Sequence, residues 1–322
     1  MCILRQWENT LITLLLLLLL SACAGTAIQP TTTRQTAYVI RTDDRLLTQF
    51  APVIIPADTA YPFNKIGTPE AKYTARGMEE IYVNPAMPTV YVQQRSFTSR
   101  GQRYTNLIYR MHFERVPLLH LTSGRNGGLI IVITLNRKRQ PVLITTVHSC
   151  GCYLAFVPTQ YLPAAAYPTR WKRSGQRVFG IKLPGKLDYP QGAHPLIFLQ
   201  HATHRVRDIR VLDEDRLNAH YRRVPVTTAA MQQLHALPLG EKTISFFHTA
   251  GPDKGYVKNA YKPFELLLMS WWVLDAHVGM DKDYGDRKKT GAVFYTSLRP
   301  WKRRASDMWP FASFLEFWGW RL

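Results

Sequence analysis

The amino-acid sequence predicts an α+β fold, with an antiparallel-rich β-sheet in the first two thirds and helices mainly in the C-terminal third. Residues 129–135 form a continuous apolar run rich in β-branched side chains, and residues 142–147 repeat this pattern after a polar turn. Two such runs indicate a β-hairpin, and an unbroken apolar run is typical of a strand covered on both faces. The clearest helix starts at Pro263, a favoured first-turn residue. Strands followed by helices define the class.

Shorter patterns predict the other elements. Alternating or continuous apolar residues bounded by turn residues predict strands at 89–94, 104–113, 178–183, 195–200, 206–212 and 243–248. Helical spacing predicts helices at 213–220, 228–237 and 263–280, and a last helix that starts near Pro310.

The last helix is unusually aromatic. Phe311, Phe314, Leu315 and Trp318 share one helical stripe. The stripe either packs on the sheet and closes the core or lies in a membrane interface, where aromatic and basic side chains meet the lipid head groups. We favour packing.

The N-terminal residues carry a targeting pattern. A short segment with Arg5 precedes an apolar run at residues 11–20, and the small residues Ser21 and Ala22 stand directly before Cys23. This is the layout of a secretory signal peptide, and ten apolar residues are fewer than the roughly 20 that span a bilayer. Residues 20–23 resemble the lipobox of bacterial lipoproteins.

The resemblance to bacterial lipoproteins implies a processing step and a cellular location. It implies cleavage before Cys23 and acylation of the Cys23 thiol and of the new amine with long chains such as palmitate. Because residue 24 is Ala and not Asp, it also implies the outer membrane, with the protein facing the periplasm, if the source is a Gram-negative cell.

The expected domain organisation follows from this pattern. Residues 1–22 form the cleaved signal peptide, residues 23–45 a lipidated Cys and a flexible tether, and residues 46–322 one α+β domain, with a subdivision near residues 213–240 as the alternative. The tether is rich in Thr, Ala and Gln and buries little. Alternatively, the last residues of the tether form a first strand at residues 37–40.

The net charge is strongly positive. The chain has 41 Lys and Arg against 22 Asp and Glu, a formal charge of +19. In a cytosolic protein this balance would indicate nucleic acid. A location in the cell envelope argues against nucleic acid as the partner. The anionic partners within reach are then anionic lipid, lipopolysaccharide phosphates or peptidoglycan carboxylates, since anionic bilayers attract basic surfaces.

The segment His148-Ser149-Cys150-Gly151-Cys152 is the main candidate for chemistry. If the preceding strand continued, His148, Cys150 and Cys152 would lie on one face. Imidazole and thiolates bind Zn, Cu or Fe, and His201, His204 or His248 could complete such a site. Two alternatives stay open: a strained disulfide that Gly151 would permit, or two small buried thiols beside a hydrogen-bonded His.

Two further features bear on function. His277 lies on the predicted helical stripe of residues 266, 269, 273, 277 and 280, either as a core residue or as a general base at a cleft. Residues 281–286 resemble a calcium loop only loosely, since the closing Glu is missing, and are interpreted as a turn. G-x-S-x-G, H-E-x-x-H and G-x-G-x-x-G are all absent from the sequence.

Two function classes therefore remain. The basic charge favours a membrane-anchored envelope lipoprotein that binds anionic envelope components without catalysis. The His148, Cys150 and Cys152 segment favours a periplasmic metal- or thiol-dependent enzyme or redox protein.

Overall fold

The computed structural model of the chain describes residues 34–322. The expected signal peptide and the expected lipidated Cys23 lie outside the described residues. Residues 35–322 form one compact unit. The described part of the expected tether is therefore already folded from Gln35 onward, and no boundary falls near residues 213–240, because a central strand runs through that region.

A ten-stranded mixed sheet dominates the fold. Strands are numbered along the chain. The ten strands of this sheet are β1 (Gln35–Ile40), β2 (Val53–Ile55), β5 (Thr89–Ser99), β6 (Gln102–His112), β9 (Gly128–Leu135), β10 (Pro141–His148), β11 (Ala155–Pro158), β14 (His194–Leu199), β15 (Val206–Leu212) and β16 (Tyr221–Ala230). Their order across the sheet is β11-β10-β9-β6-β5-β16-β1-β2-β14-β15.

Eight shorter strands pair in four small hairpins around the sheet. They are β3 (Thr68–Tyr73) with β4 (Glu79–Asn84), β7 (Arg115–Val116) with β8 (Gly124–Arg125), β12 (Gln176–Val178) with β13 (Ile181–Leu183), and β17 (Leu237–Leu239) with β18 (Lys242–Ile244).

Five α-helices complete the described fold, three of them in the last third. They are α1 (Arg45–Gln49), α2 (Glu214–His220), α3 (Pro263–Val273), α4 (Arg287–Thr290) and α5 (Phe311–Phe317). The α+β class that the sequence predicts is confirmed. Within residues 34–322, no helix is both long and apolar enough to cross a bilayer.

The predicted hairpin at residues 129–147 is present as β9 and β10. Every residue of both strands is buried, because neighbouring strands flank them and side chains cover both faces. Ile131 and Ile133 belong to one apolar core, while Ile130 and Val132 belong to a second core on the opposite face. All ten strands contribute residues to the first core, as the curling of the sheet requires.

The structure corrects three of the predicted elements. Residues 228–237 are not a helix: they complete β16, which pairs in parallel with β1 and with β5, and then form a 3₁₀ turn at Met231–His235. Residues 178–183 are not one strand, because Phe179 and Gly180 take positive φ angles and turn the chain between β12 and β13. Of residues 243–248, only the first two belong to a strand.

The two predicted C-terminal helices differ in how they bury their side chains. Helix α3 ends at Val273 and not at residue 280, because Leu274 adopts the left-handed conformation. Helix α5 buries Phe311, Phe314 and Leu315 in the second core. The predicted packing of the C-terminal stripe on the core is therefore confirmed for these three residues, whereas Trp318, the fourth member of the stripe, is 37% exposed.

Candidate functional site

The candidate site is a tight turn at the end of β10. The strand ends at His148, and the Gly151 amide then donates a hydrogen bond to the His148 carbonyl at 2.7 Å. The strand does not continue beyond His148, so period-two geometry does not place Cys150 and Cys152 on one face with His148. The turn instead brings the two cysteine side chains together.

Gly151 is required at this turn for two reasons. Its φ angle is +89°, a left-handed value that non-glycine residues rarely adopt. A Cβ atom at this position would also lie 2.0 Å from the Tyr295 carbonyl oxygen. The backbone of residues 150–152 therefore lies directly against Tyr295.

The two thiols are free, and the Cys152 backbone amide donates a hydrogen bond to the Cys150 sulfur at 3.4 Å. Interaction with the Cys152 thiol, helped by the charge of Lys262, lowers the pKa of Cys150 although burial opposes ionisation. The same interaction between the thiols, together with burial, raises the pKa of Cys152 well above its usual value. The pair therefore releases one proton readily and retains the second.

Two buried lysines supply positive charge beside the thiols. Lys262 Nζ lies 2.9 Å from Asp281 Oδ2. Burial acts to lower the pKa of Lys262, but Asp281, Cys150 and Glu265 outweigh it and raise that pKa well above its usual value. Lys262 therefore remains charged.

Lys282 is the second buried amine. It donates hydrogen bonds to the carbonyl oxygens of Cys150 and Met280, and its Nζ lies 4.0 Å from the centre of the Tyr295 ring. Burial lowers its pKa, although the nearby thiols favour its charged form. Lys282 thus fixes the thiol turn and contributes electrostatically to it.

Asp281 ties the turn to the rest of the fold. Its Oδ1 accepts hydrogen bonds from the Ser149 hydroxyl and, at 3.3 Å, from the Gly128 amide at the start of β9. Glu265 on α3 is also buried, and its Oε2 has no hydrogen-bond partner among the described residues. Burial raises the pKa of Glu265 in spite of the opposing charge of Lys262.

A pocket of about 790 Å³ opens above Cys152. Five tryptophans line it: Trp171, Trp272, Trp301, Trp318 and Trp320. Arg170, Arg177 and Arg299 also line it, and the described lining contains no Asp or Glu. Cys152 and Gly151 belong to the lining, whereas the Cys150 side chain is buried behind them. Cys152 is thus the sulfur that a ligand in the pocket would meet.

The histidines of the predicted site lie apart from the thiol pair. His148 Nε2 donates to the His204 carbonyl at 3.2 Å, and His204 Nε2 donates to the Phe63 carbonyl at 2.6 Å. Burial lowers the pKa of His148 to about 4 and that of His204 to about 3, so both are neutral at neutral pH. His201 Nδ1 accepts from the Asn64 amide at 2.9 Å.

The remaining two histidines are also accounted for. His248 follows β18, and burial lowers its pKa. His277 lies beyond the end of α3, so it is not on the predicted stripe; its ring stacks on Tyr256 and its Nε2 lies 2.7 Å from Asp253 Oδ1. In the described part of the chain, no group of three or more His, Cys, Asp or Glu side chains is placed to hold a metal ion.

Sequence reasoning missed the charged residues beneath the thiols. Lys262 and Glu265 flank the start of an otherwise apolar helix. Charged residues are rarely buried without a partner, so these two positions beside an apolar run were a usable signal for a buried charged pair. Asp281 and Lys282 were assigned to a turn, and nothing in their local sequence indicates that they lie under residues 149–152. Only the long-range contacts of Asp281 and Lys282 with Ser149 and Cys150 reveal this.

Comparison with family models, with curated proteins and with solved structures finds no match for this chain. The functional argument therefore rests on the geometry of the site.

Proposed function

We propose that this protein performs thiol–disulfide exchange through the Cys150–Cys152 pair. The observation that carries the proposal is the position of two free thiols in one tight turn, where Cys152 lines a large pocket and the Cys150 side chain is buried. An accessible attacking sulfur beside a resolving sulfur is the arrangement that exchange requires.

The electrostatics of the site support this chemistry. The thiolate is the reactive form of cysteine, and positive charges nearby favour it. The charged Lys262 lowers the pKa of Cys150, so the buried Cys150 sulfur carries the thiolate of the resting pair. When a partner disulfide approaches Cys152 from the pocket, the Cys150 thiolate can accept the Cys152 proton and so generate the attacking Cys152 thiolate.

The exchange is balanced in two steps. The Cys152 thiolate attacks one sulfur of a partner disulfide, which forms a mixed disulfide and releases the other partner sulfur as a thiolate that takes up a proton. Cys150 then loses its proton and attacks the Cys152 sulfur. The Cys150–Cys152 disulfide forms, the second partner sulfur leaves as a thiol, and the two electrons have passed to the partner. The reverse sequence oxidises a partner dithiol.

The expected location in the cell envelope agrees with this proposal. Disulfides form and persist in secreted and periplasmic compartments, where exchange reactions are needed. The lipobox-like residues that end at Cys23 would hold the domain at the outer membrane in that compartment.

The test is a redox titration of the full chain in which Cys2 and Cys23 are both replaced by Ser, so that only the two candidate thiols remain. After equilibration in thiol–disulfide buffers and acid quenching, mass spectrometry counts alkylated thiols. We expect a two-electron transition between about −120 and −270 mV, the range of exchange-active pairs. In the same background, Cys150→Ser should accumulate a mixed disulfide at Cys152, and Cys152→Ser should lose exchange with a small disulfide.

The control is the Cys2→Ser/Cys23→Ser chain itself, which must exchange as fast as the parent chain. Exchange that survives in Cys152→Ser would overturn the proposal. So would stoichiometric Zn, Cu or Fe in the purified parent chain that disappears in Cys150→Ser, because the thiols would then be metal ligands.

A further inference from the structure

Helix α3 directs its apolar stripe toward solvent. Phe264, Leu267, Leu268, Trp271 and Trp272 are all exposed, at the i, i+3, i+4, i+7 and i+8 spacing that places side chains on one face. Leu267 and Trp271 each expose 73% of their surface. The buried side chains of this helix are Glu265 and Val273. An amphipathic helix that packs on a core has the opposite arrangement.

A basic turn continues this surface at the end of α3. Trp301, in the 3₁₀ turn Pro300–Lys302, is 77% exposed. The guanidinium of Arg303 donates hydrogen bonds to the carbonyl oxygens of Val273 and Leu274, so this turn is fixed to the end of the helix. Trp272 and Trp301 also line the same pocket. The stripe and the turn therefore form one continuous patch, which we call the α3 patch.

The charged side chains next to Trp301 in the sequence are positive. Arg299 and Arg304 are exposed beside Trp301, and no acidic residue occurs between Arg287 and Arg304. The carboxylates nearest in sequence are directed away from solvent: Glu265 is buried, and Asp275 accepts a hydrogen bond from the Tyr295 hydroxyl. Tryptophan and leucine in contact with basic side chains are typical of surfaces that lie in the interface of an anionic bilayer.

We propose that the α3 patch is a docking surface for an anionic lipid bilayer. The leucines and tryptophans of α3 would enter the boundary between head groups and acyl chains, and Arg299 and Arg304 would contact lipid phosphates. Since Trp272 and Trp301 line the pocket, docking would bring the pocket mouth to the lipid surface. This surface is independent of the thiol chemistry and of any N-terminal anchor.

Charge argues against a second copy of the chain as the occupant. In a symmetric dimer the same patch of both copies would meet, so the basic rim would face itself. Like charges opposed in this way disfavour association. An anionic bilayer offers the apolar layer and the complementary charge together.

The test uses the full chain and tryptophan quenching by phosphatidylcholine that is brominated on its acyl chains, mixed with phosphatidylglycerol. We expect quenching on these vesicles, and little on brominated phosphatidylcholine alone. Leu267→Glu/Leu268→Glu keeps every tryptophan and should reduce quenching and bring partitioning down about tenfold or more, because two charges then enter the apolar layer. Arg299→Glu/Arg304→Glu should reduce partitioning by a similar factor on the anionic vesicles.

Matched control variants exist elsewhere on the surface. Leu118→Glu/Leu119→Glu changes two exposed leucines in another loop, and Arg137→Glu/Lys138→Glu reverses two exposed charges on the β9–β10 turn. Both should bind as the parent chain does. Equal quenching of the parent and of Leu267→Glu/Leu268→Glu overturns the proposal, as does concentration-dependent dimerisation of the parent without vesicle quenching. The parent and all variants carry Cys23→Ser, so that no acyl anchor contributes to the measured partitioning.

Discussion

Lys262 and Asp281 form an ion pair whose atoms lie 2.9 Å apart, with side chains only 6% and 1% exposed. Lys262 directly precedes α3, while Asp281 accepts the hydroxyl hydrogen bond of Ser149 in the thiol turn. One buried contact therefore joins the helix that carries the α3 patch to the turn that carries the thiols.

Asp281→Asn should strongly destabilise the fold. The substitution leaves the Lys262 ammonium buried without its counter-charge, and breaking a buried pair in this way costs about 3 to 5 kcal/mol. Urea unfolding followed by circular dichroism measures the change in the free energy of unfolding. The control is Asp208→Asn, which removes the partner of Arg210 in a largely exposed pair and should cost about 1 kcal/mol or less. Equal losses in both variants would contradict the assigned role of the buried pair.

Gly151→Ala should disrupt the thiol turn. The new Cβ would meet the Tyr295 carbonyl and the backbone φ is left-handed, so backbone movement must separate the two sulfurs. Gly180→Ala is the matched control, because its φ angle is +86° but its Cβ would meet nothing within 4 Å. We expect a cost of about 1 to 2 kcal/mol for Gly180→Ala and a clearly larger one for Gly151→Ala. Thiol counting after mild oxidation should show less disulfide in Gly151→Ala; unchanged oxidation would refute the requirement for glycine.

The buried His148 should make stability fall in acid. Its folded pKa of about 4 is below the value of about 6.5 in an unfolded chain, so the unfolded state binds more protons once the pH falls below 6.5. The stabilising contribution of the neutral ring is complete above pH 6.5 and disappears as the pH approaches 4, a loss of roughly 3 kcal/mol. His204 adds a loss in the same direction that extends to about pH 3.

Urea unfolding at a series of pH values tests this dependence. His148→Gln cannot take up the proton, so its free energy of unfolding should change less than that of the parent chain between pH 6.5 and 4. His220→Gln alters an exposed residue at the end of α2 and should follow the parent chain. Parallel curves for His148→Gln and the parent would show that His148 does not cause the loss.

Cys23→Ala should leave an unacylated precursor with its signal peptide uncut, since the lipobox-like pattern requires the Cys23 thiol. Metabolic labelling with palmitate and intact-mass measurement of the expressed chain would detect both effects. Cys2→Ala lies within the same N-terminal segment and should be processed as the parent is. A mature protein that carries a free, unmodified Cys23 would contradict the expected address.

Local patterns predicted the parts of the fold whose hydrogen-bond partners are close in sequence. The β9–β10 hairpin follows from two apolar runs and a short turn, and the packing of α5 follows from the stripe of Phe311, Phe314 and Leu315. The helix expected at residues 228–237 is wrong because β16 pairs in parallel with β1 and β5, which are more than a hundred residues away. Such partners leave no trace in a local window.

The candidate site divides in the same way. The sequence identified Cys150 and Cys152, and Gly151 indicated that a turn could close between them. It could not place Lys262, Glu265, Asp281 or Lys282 beneath the thiols, since these side chains come from segments more than a hundred residues further along the chain. It also assigned the core-facing stripe of α3 to residues 266, 269 and 273, whereas the exposed stripe at 264, 267, 268, 271 and 272 is the more apolar one.

The sequence by itself determined the α+β class, the basic charge, the lipobox-like pattern at Cys23 and the single pair of cysteines left in the folded domain. Composition and short-range periodicity are sufficient for these features. The tertiary structure alone decided that the two thiols meet in one tight turn beside buried lysines, that Cys152 lines an aromatic pocket and that α3 turns its apolar face outward. These features depend on which distant segments exclude water from one another, and that is fixed only when the whole sheet closes around its cores.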